Sequence, residues 1–454
     1  MKKMLFVIPW SEFHIGLSDF DFSQMPERAP EGVTALATFL KSKGAEVQIA
    51  DMLCLLIRQH GDTDKALKIL FNQCATFRPD IIGFSFFTAR LAAASDIFTA
   101  LDSFYKASGL PRPFFMAGGV HATLLPELAF RQIPFDALSL GEGEYPLLQL
   151  LEGKDPATTD GIMMPNGRRS YPKEVVRDLD TLPVADWSLI DKDFYSQPSH
   201  QISCGRKDAV MPITFSRGCM YRCNFCAHAS FLKPRCHSAE YFIRKMDSYA
   251  RQCNVSTFIV QDSSVGNFKE EWTKVCRLLI ERGSPYRWWA NLRANQTDRD
   301  FLAVMKQAGC IKLFFGFESG SQRVLDRMNK RITVEQCQEA ARLCHELELP
   351  FYASFITNYF DEEESDLELT ELLIKQTRPT SVAVNRFSPI PGSNDFDSHA
   401  EQISPTLNSI KDWTQLGRLC SDLYFSSMKE ERYEYWNRRL KELRKHINSH
   451  EDTD

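Results

Sequence analysis

Several absences narrow the function of this sequence before any motif is considered. No apolar run reaches the roughly 18 residues that a membrane-spanning helix needs. The apolar start Leu5–Ile8 is short and is broken by Pro9, so no signal peptide is expected. A positive charge excess is also missing, since the formal net charge is −5, and neither nucleic acid nor a polybasic membrane contact is expected. Internal repeats and low-complexity tracts are absent too.

The 13 cysteines lack the regular spacing of a disulfide framework. In a long chain without an export signal, scattered cysteines are typical of a reducing compartment. We therefore predict a cytoplasmic protein whose cysteines are mostly small buried side chains.

One group of cysteines has a different pattern. Cys219, Cys223 and Cys226 are separated by three and then two residues, directly after the strand-like run 211–215. A [4Fe–4S] cluster normally takes four thiolates, so three would leave one iron for another ligand. Zinc is the alternative, because cysteines two residues apart are a common zinc spacing. Its further ligands would be the nearest metal-binding side chains, His228, Cys236 and His237.

The triplet resembles the cluster loop of the radical S-adenosylmethionine (radical SAM) superfamily, including the aromatic Phe225 before the last cysteine. The resemblance implies that the amine and carboxylate of SAM chelate the fourth iron. It also implies that SAM is cleaved reductively to a 5′-deoxyadenosyl radical.

Residues 1–150 alternate short apolar strands with amphipathic helices, which predicts an α/β domain with a doubly wound parallel sheet. Such a sheet binds ligands outside the carboxyl ends of its strands. Glycine-rich loops follow the fourth and fifth predicted strands and would let a bulky planar ligand approach, although glycines also make tight turns. The predicted strands are 5–8, 46–50, 81–86, 114–117 and 137–140.

This region resembles the N-terminal cobalamin-binding domain of the cobalamin-dependent branch of radical SAM enzymes. The resemblance implies that cobalamin is bound by the two loops, through Gly118, Gly119, His121, Gly141, Glu142 and Gly143. The Asp-x-His-x-x-Gly motif that ligates cobalt in mutases is missing. His14 is the nearest substitute for its histidine, with a polar loop residue as the alternative.

Residues 151–205 are rich in Pro, Gly, Asp and Thr and are predicted to be a linker. Their segment 178–183 resembles the linker that precedes the radical SAM domain in this branch. From 206 to 395, strands and helices alternate at the spacing of a partial (βα)6 barrel. Residues 396–454 are predicted to be a helical C-terminal region. The predicted barrel strands are 213–215, 257–261, 288–291, 312–317, 352–356 and 381–387.

Polar residues at the carboxyl ends of these strands are the candidate SAM ligands, because reacting groups of such barrels lie there. By resemblance, Asp262 meets the methionyl ammonium, and Glu318 with Ser319 belongs to the family's Gly-x-Glu-Ser-Gly. Arg293 could hold the SAM carboxylate through a bidentate pair. A purely structural role is the alternative for each of these residues.

The fifth barrel strand departs from the family pattern. Relatives end it in Gly-x-Pro-Gly-Glu, whereas this chain has Thr357-Asn358-Tyr359-Phe360-Asp361-Glu362. Replacing both glycines removes a bare backbone approach. We expect Asn358 and Tyr359 to reshape the adenine end of the SAM site or to reach the substrate.

The leading hypothesis is a cobalamin-dependent radical SAM methyltransferase that acts on an unactivated carbon of a small metabolite. The alternative is a non-methylating radical SAM enzyme, for cyclisation or diol dehydration, whose first domain need not hold cobalamin. A zinc-stabilised binding protein is the third hypothesis. Under the first two, a reductase or a flavodoxin- or ferredoxin-type protein would donate the electron.

Overall fold

The computed structural model describes residues 1–10, 28–197, 209–227, 233–401 and 425–449. Within these ranges the chain divides into two units. The first unit contains residues 1–10 and 29–194, and the second contains 28, 195–197, 209–227, 233–401 and 425–449. The candidate ligands His14 and His228 lie outside the described residues.

A six-stranded sheet forms the centre of the first unit, in the order β2-β1-β3-β4-β5-β6. The first five strands are parallel, and β6 pairs antiparallel with β5. The parallel strands are almost wholly apolar because helices cover both faces. The strands are β1 (Lys3–Ile8), β2 (Glu46–Asp51), β3 (Ile81–Ser85), β4 (Phe114–Gly118), β5 (Ala137–Ser139) and β6 (Ile162–Met163).

The helices of this unit begin at clear sequence signals. The Asp51 side chain accepts the backbone N–H of Cys54 at 3.2 Å and caps α2, and Asp62 caps α3 in the same way. Gly109, at φ +68°, ends α4. The helices are α1 (Glu31–Ser42), α2 (Met52–Arg58), α3 (Thr63–Phe77), α4 (Leu91–Ser108), α5 (Val120–Leu124), α6 (Pro126–Gln132) and α7 (Glu144–Leu151).

The segment predicted to be a linker contributes to this unit. Strand β6 extends the sheet, and Val176, Leu179, Trp187 and Phe194 are all buried. The boundary between the two units falls within the short helix α8 (Lys192–Tyr195).

Six parallel strands form the second unit, in the order β14-β13-β12-β11-β10-β7. Each lies beside its neighbour in sequence, which confirms the predicted partial barrel and the α/β fold class. A separate antiparallel pair, β8 with β9, lies outside this sheet. The strands are β7 (Val210–Ile213), β8 (Ser216–Arg217), β9 (Arg235–Cys236), β10 (Thr257–Val260), β11 (Arg287–Leu292), β12 (Cys310–Glu318), β13 (Phe351–Thr357) and β14 (Ser381–Arg386).

Helices follow the barrel strands and bury one apolar face each. Among them, α13 begins with a capping box in which Thr333 and Gln336 each bond the other's backbone N–H. The helices are α9 (Ala239–Cys253), α10 (Lys269–Glu281), α11 (Arg299–Gln307), α12 (Gln322–Arg327), α13 (Val334–Glu346), α14 (Glu364–Thr377), α15 (Asn394–Ser398) and α16 (Glu430–Asn448).

Helix α16 covers the edge strand of the barrel sheet. Trp436 and Leu440 are buried, as the helical periodicity of the C-terminal region predicts. Asn448 accepts the N–H of Val382 at 2.9 Å and donates to its carbonyl at 3.1 Å, so it satisfies backbone groups that β14 would leave open. Across the described ranges, none of the helices has the length and apolar character needed to cross a bilayer.

Candidate functional site

The cysteine segment lies between the two short paired strands β8 and β9. Ser216 and Arg217 pair antiparallel with Cys236 and Arg235, so the chain between them is closed at its base. Gly218, at φ +86°, turns the backbone immediately before the first cysteine. Cys223 is buried, whereas Cys219 and Cys226 are half-buried.

Hydrogen-bond donors surround two of the three sulfurs. The Arg293 guanidinium lies 3.5 Å from Cys223 Sγ, and Asn267 Nδ2 lies 3.9 Å from Cys219 Sγ. The same guanidinium lies 3.6 Å from the centroid of the Tyr221 ring, which holds it in place. Donors aimed at sulfur stabilise thiolates and tune the clusters that thiolates bind. Arg293 and Asn267 are therefore placed to support Cys223 and Cys219 as cluster ligands.

The segment after α12 holds the cysteine loop from one side. The N–H of Asn224 donates to the carbonyl of Met328 at 2.9 Å, and its side-chain amide donates to the carbonyl of Arg327 at 2.8 Å. Asn329 in turn donates to the carbonyl of Arg222 at 2.7 Å. Sequence reasoning missed these clamping residues, because no motif marks them.

Glu318 forms a buried ion pair with Lys330, at 2.7 Å. Its backbone is left-handed, at φ +65°, where the register between β12 and β13 shifts. Gly316 makes room for the pair, because a Cβ there would lie 2.8 Å from Lys330 Nζ. Ser354 donates to the other oxygen at 3.3 Å, and an ionised carboxylate has further acceptor sites. Glu318 thus keeps the capacity to accept from a bound ligand.

Arg293 links this pair to the cysteine loop. Its guanidinium donates to the carbonyl of Lys330 as well as to Cys223. Its Nε is buried without a partner among the described residues, as is Asn295 Oδ1. Orphaned buried polar groups are rare in native proteins and mark places where a ligand completes the bonding. The Arg293 Nε–H therefore fits a carboxylate-bearing ligand beside Cys223, whereas Asn295 Oδ1 requires a donor.

Asp262 is fully buried at the end of β10. Its carboxylate accepts the N–H of Phe215 at 2.8 Å and the hydroxyl of Ser216, which precede the cysteine loop. Burial raises the pKa of Asp262 to about 6. Contact with SAM stays a prediction for this residue; its observed bonds join β10 to the start of the cysteine loop.

Ser319 is fully buried and lies against α14. Its hydroxyl accepts the N–H of Ser321 at 3.1 Å and lies 3.4 Å from the hydroxyl of Thr370. Cofactor contact stays a prediction for Ser319 too.

The predicted role of Asn358 and Tyr359 at the SAM or substrate site stays a prediction. Both are fully buried and bond other residues of the chain. The Tyr359 hydroxyl donates to Asp395 at 2.6 Å, and Asn358 Oδ1 accepts the N–H of Phe425 at 3.1 Å. Asn358 is left-handed at φ +62° and turns the chain at the strand end.

In the first unit, the two glycine loops are joined by one side chain. Thr123 accepts the N–H of Gly141 at 2.9 Å and donates to the carbonyl of Gly119 at 2.8 Å. The two loops therefore form one surface at the carboxyl ends of β4 and β5. Sequence reasoning missed Thr123, although it follows the candidate His121 by two residues.

The glycines of these loops have different roles. Gly119, at φ +87°, lies against the end of β3, where a Cβ would be 3.1 Å from Ser85 Oγ. Gly141, at φ +75°, lies against Pro172. A Cβ on Gly143 would lie 3.1 Å from Leu36, whereas Gly118 has room for one. Glu142, between Gly141 and Gly143, is half-buried.

His121 is buried beneath the first loop. Its Nδ1 lies 3.0 Å from the hydroxyl of Thr88, and its ring stacks on Phe86 with centroids 5.3 Å apart. Burial lowers the pKa of His121 to about 4, so the imidazole is neutral near neutral pH. Its Nε2, like Ser139 Oγ on β5, has no partner within the described part of the chain. Such orphaned neutral groups at strand ends fit a large polar ligand such as cobalamin.

The zinc alternative has little geometric support. No three His, Cys, Asp or Glu side chains within the described ranges converge as ligands of one ion. His237 instead stacks on Tyr241 with centroids 4.4 Å apart, and Cys236 lies in β9. A cluster does not need such convergence, because each thiolate binds a different iron.

Comparisons with known proteins assign both units. Residues 28–151 match the B12 binding domain family, and residues 213–374 match the Radical SAM superfamily. The chain is 26% identical, over 80% of its length and 77% of the relative, to an uncharacterized methyltransferase of Pyrococcus horikoshii. It is 25% identical, over 82% of its length and 67% of the relative, to anaerobic magnesium-protoporphyrin IX monomethyl ester cyclase of Rubrivivax gelatinosus.

A solved structure agrees with this fold. The radical SAM methyltransferase TsrM from Kitasatospora setae, with cobalamin and a [4Fe–4S] cluster bound, is similar with a TM-score of 0.71 at 16% identity, over 98% of this chain and 88% of that one. The radical SAM domain implies a [4Fe–4S] cluster and SAM, and the B12-binding domain implies cobalamin. The chain therefore combines a B12-binding domain with a radical SAM domain and is an enzyme.

Proposed function

We propose that this enzyme is a cobalamin-dependent methyltransferase that methylates a carbon atom of a small molecule. The observation that carries the proposal is the presence of both domain matches in one chain. Methyltransferases among the relatives support the choice of reaction. A small substrate is favoured over nucleic acid because the formal net charge is −5.

Cys219, Cys223 and Cys226 would hold the cluster, and Arg293 and Asn267 would donate hydrogen bonds to its sulfur ligands. When bound, the cluster supplies the electron for reductive SAM cleavage, and cobalamin carries the methyl group. The chain's own contribution is orientation and exclusion of water.

Glu318 and Arg293 would bind SAM at the barrel mouth. Glu318 accepts hydrogen bonds from the SAM ammonium or ribose, while the ion pair with Lys330 orients its carboxylate. Arg293 offers its orphaned Nε to the SAM carboxylate. Asp262 acts indirectly as a positioning residue, through Phe215 and Ser216.

At the glycine loops, Gly118, Gly119, His121, Gly141, Glu142 and Gly143 would bind cobalamin. Thr123 joins the loops into one surface, and His121 would offer a neutral ring nitrogen to the ligand's polar groups.

The test is anaerobic reconstitution with iron, sulfide and hydroxocobalamin, followed by turnover with SAM carrying a deuterated methyl group. Methyl transfer by this route uses one SAM for the radical and another for the methyl group. We expect a bound corrinoid, and 5′-deoxyadenosine and S-adenosylhomocysteine in about equal amounts with each candidate substrate that reacts. A protein that cleaves SAM but retains no corrinoid would contradict the proposal.

A ring-forming reaction without methyl transfer is the second candidate. The relative from Rubrivivax gelatinosus, which is a cyclase by name, favours it. This reaction would yield 5′-deoxyadenosine with no S-adenosylhomocysteine, and a product that has gained no deuterated methyl group. Both product masses are measured in the same experiment.

We further propose a flavodoxin- or ferredoxin-type electron donor, which would share the cytoplasm with this enzyme. The cysteine loop reaches the surface, where Met220 is 53% exposed beside the exposed Arg222. Arg331, close by, adds a second exposed positive charge, and such charges attract acidic carriers. Replacing Arg331 with Glu should slow cluster reduction by flavodoxin but not by dithionite. Equal slowing with both reductants would argue against docking here.

A further inference from the structure

The end of the fifth barrel strand contacts the cysteine loop by a polar route. The Tyr359 hydroxyl donates to the carboxylate of Asp395 at 2.6 Å, and the N–H of Asp395 donates to the carbonyl of Asn224 at 3.0 Å. Asn224 lies between Cys223 and Cys226 in the sequence. Two hydrogen bonds thus connect a residue of the strand end to the backbone between two cluster ligands.

A second, apolar route runs in parallel. Tyr359 packs edge-on against Phe387 with ring centroids 4.9 Å apart, within a buried cluster that also contains Phe360, Phe425, Met328 and Val324. We call this group the aromatic cluster. Phe225 of the cysteine loop packs against it. Tyr359 therefore takes part in both routes, through its hydroxyl bond to Asp395 and through its ring in the aromatic cluster.

Asn358 attaches the C-terminal segment to this structure. Its Oδ1 accepts the N–H groups of Phe425 and Ser426, at 3.1 and 3.4 Å. Ser426 also donates its hydroxyl to the carbonyl of Glu362 at 2.6 Å. These bonds fix Phe425 in the aromatic cluster. Glycines at this strand end could offer neither the amide acceptor nor the ring.

We propose that Tyr359 and Asn358 are positioning residues for the iron–sulfur cluster. Tyr359 fixes the cysteine loop through Asp395 and Asn224, and Asn358 holds Phe425 in the aromatic cluster on which Phe225 rests. This inference rests on the cluster assigned under the proposed function, and it explains what the departure from the family's glycine-rich strand end does. It requires no contact of either residue with SAM or substrate.

The test compares Tyr359→Phe with Tyr433→Phe in the full-length reconstituted protein. Both tyrosines are fully buried, and the Tyr433 hydroxyl lies 3.0 Å from that of Thr357, whereas the Tyr359 hydroxyl donates to Asp395, which bonds the cysteine loop. An anaerobic iron chelator reports how fast the cluster is lost. For Tyr359→Phe we expect loss at least tenfold faster than in the parent protein, which corresponds to ~1.4 kcal/mol. For Tyr433→Phe we expect the parent rate within about twofold.

Two further measurements separate positioning from general loosening. The electron paramagnetic resonance spectrum of the reduced cluster should change in Tyr359→Phe and remain unchanged in Tyr433→Phe, because only the first alters the ligand loop. Asp395→Asn keeps an acceptor for the hydroxyl and should give an intermediate chelation rate. Asn358→Ala should also accelerate cluster loss.

The possible outcomes distinguish a failure of this inference from a failure of the proposed function. A parent protein that takes up no iron or sulfide would contradict the proposed function itself. A parent protein with a cluster, whose Tyr359→Phe variant loses iron at the parent rate, would overturn the positioning role alone. Equal acceleration by Tyr433→Phe would overturn it too.

Discussion

The two candidate binding regions of this enzyme, the cysteine loop and the glycine loops, differ in the kind of chemical group that they present. At the cysteine loop, charged side chains dominate: Arg293 faces a sulfur, and Glu318 is paired with Lys330 in a buried ion pair. At the carboxyl edge of the first sheet, glycine backbone and neutral side chains dominate, with Thr123 joining two loops and His121 uncharged. We therefore expect the cysteine loop to bind mainly by charge and the glycine loops, Glu142 apart, mainly by shape.

This difference explains why the cysteine loop is easier to recognise from the sequence than the glycine loops. A site that binds by charge needs specific side chains, and the spacing of Cys219, Cys223 and Cys226 is therefore diagnostic. A site that binds by shape needs room and backbone freedom, which glycine provides and which ordinary turns also need. The strength of a motif thus reflects the physical means of binding rather than its importance.

The largest expected effect comes from Cys223→Ala. We expect loss of the cluster and more than a hundredfold loss of SAM cleavage, because the buried thiolate cannot be replaced by a methyl group. Corrinoid binding to the first unit should persist. Iron, sulfide, 5′-deoxyadenosine and bound corrinoid are measured on one sample.

Cys276→Ala is the control for that experiment, since Cys276 is also buried but lies on α10. It should retain cluster and activity. If Cys223→Ala also abolished corrinoid binding, the prediction that the first unit binds corrinoid independently of the cluster would be wrong.

The next effect concerns the buried charges of the barrel. Lys330→Met leaves the carboxylate of Glu318 buried without its partner. We expect a loss of about 3–5 kcal/mol in the free energy of unfolding of the second unit. Adding Glu318→Gln to Lys330→Met should recover most of it, since no uncompensated charge remains. Denaturant unfolding measures both, and no recovery in the double variant would contradict a charge-based explanation.

The sequence predicted the fold and the order of the barrel strands because apolar periodicity and motif spacing are local signals. It predicted that Arg293 and Glu318 lie at strand ends for the same reason. It missed Lys330, which follows α12 between Asn329 and Arg331, both left-handed at φ +48° and +54°. A chain path through two such residues depends on tertiary contacts, so no local pattern indicated that Lys330 would be buried.

At the fifth strand, the sequence marks an unusual strand end but does not indicate which residues its side chains contact. Asn358 is left-handed at φ +62°, and propensity alone does not specify that conformation for asparagine. The partners of the two side chains, the Asp395 carboxylate and the N–H of Phe425, are distant in sequence, so no local pattern indicates them.

A smaller effect is the pH dependence of folding stability, which has opposite signs for a buried group of each unit. Burial raises the pKa of Glu362, next to the aromatic cluster, to about 8 from its ordinary 4.5. The folded state therefore holds a proton that the unfolded state has lost in this window, and stability falls as pH rises from about 4.5 to 8, by at most ~1.4 kcal/mol per pH unit. Glu362→Gln should remove this slope. His121 acts oppositely, since its lowered pKa makes stability fall as pH drops from 6.5 towards about 4.

Thermal unfolding at several pH values tests both signs. The Glu362→Gln variant should gain stability at pH 8 relative to the parent protein and show no gain at pH 5. A parallel shift at both pH values would mean that Glu362 does not titrate in the folded protein.

The smallest effect tests whether the glycine loops of the first unit bind by shape, through a pair of glycines. Gly119 and Gly109 both have positive φ, so an alanine at either position adds backbone strain, about 1 kcal/mol at Gly109 (ψ +7°) and more at Gly119, whose ψ of −165° is essentially restricted to glycine. Only at Gly119 would the new Cβ meet a neighbour, Ser85 Oγ at 3.1 Å, whereas Gly109 has open space. Gly119→Ala must therefore displace the loop, and we expect corrinoid affinity about tenfold weaker by equilibrium titration. Gly109→Ala should lower stability alone, and equal affinities in the two variants would mean that loop shape does not govern binding.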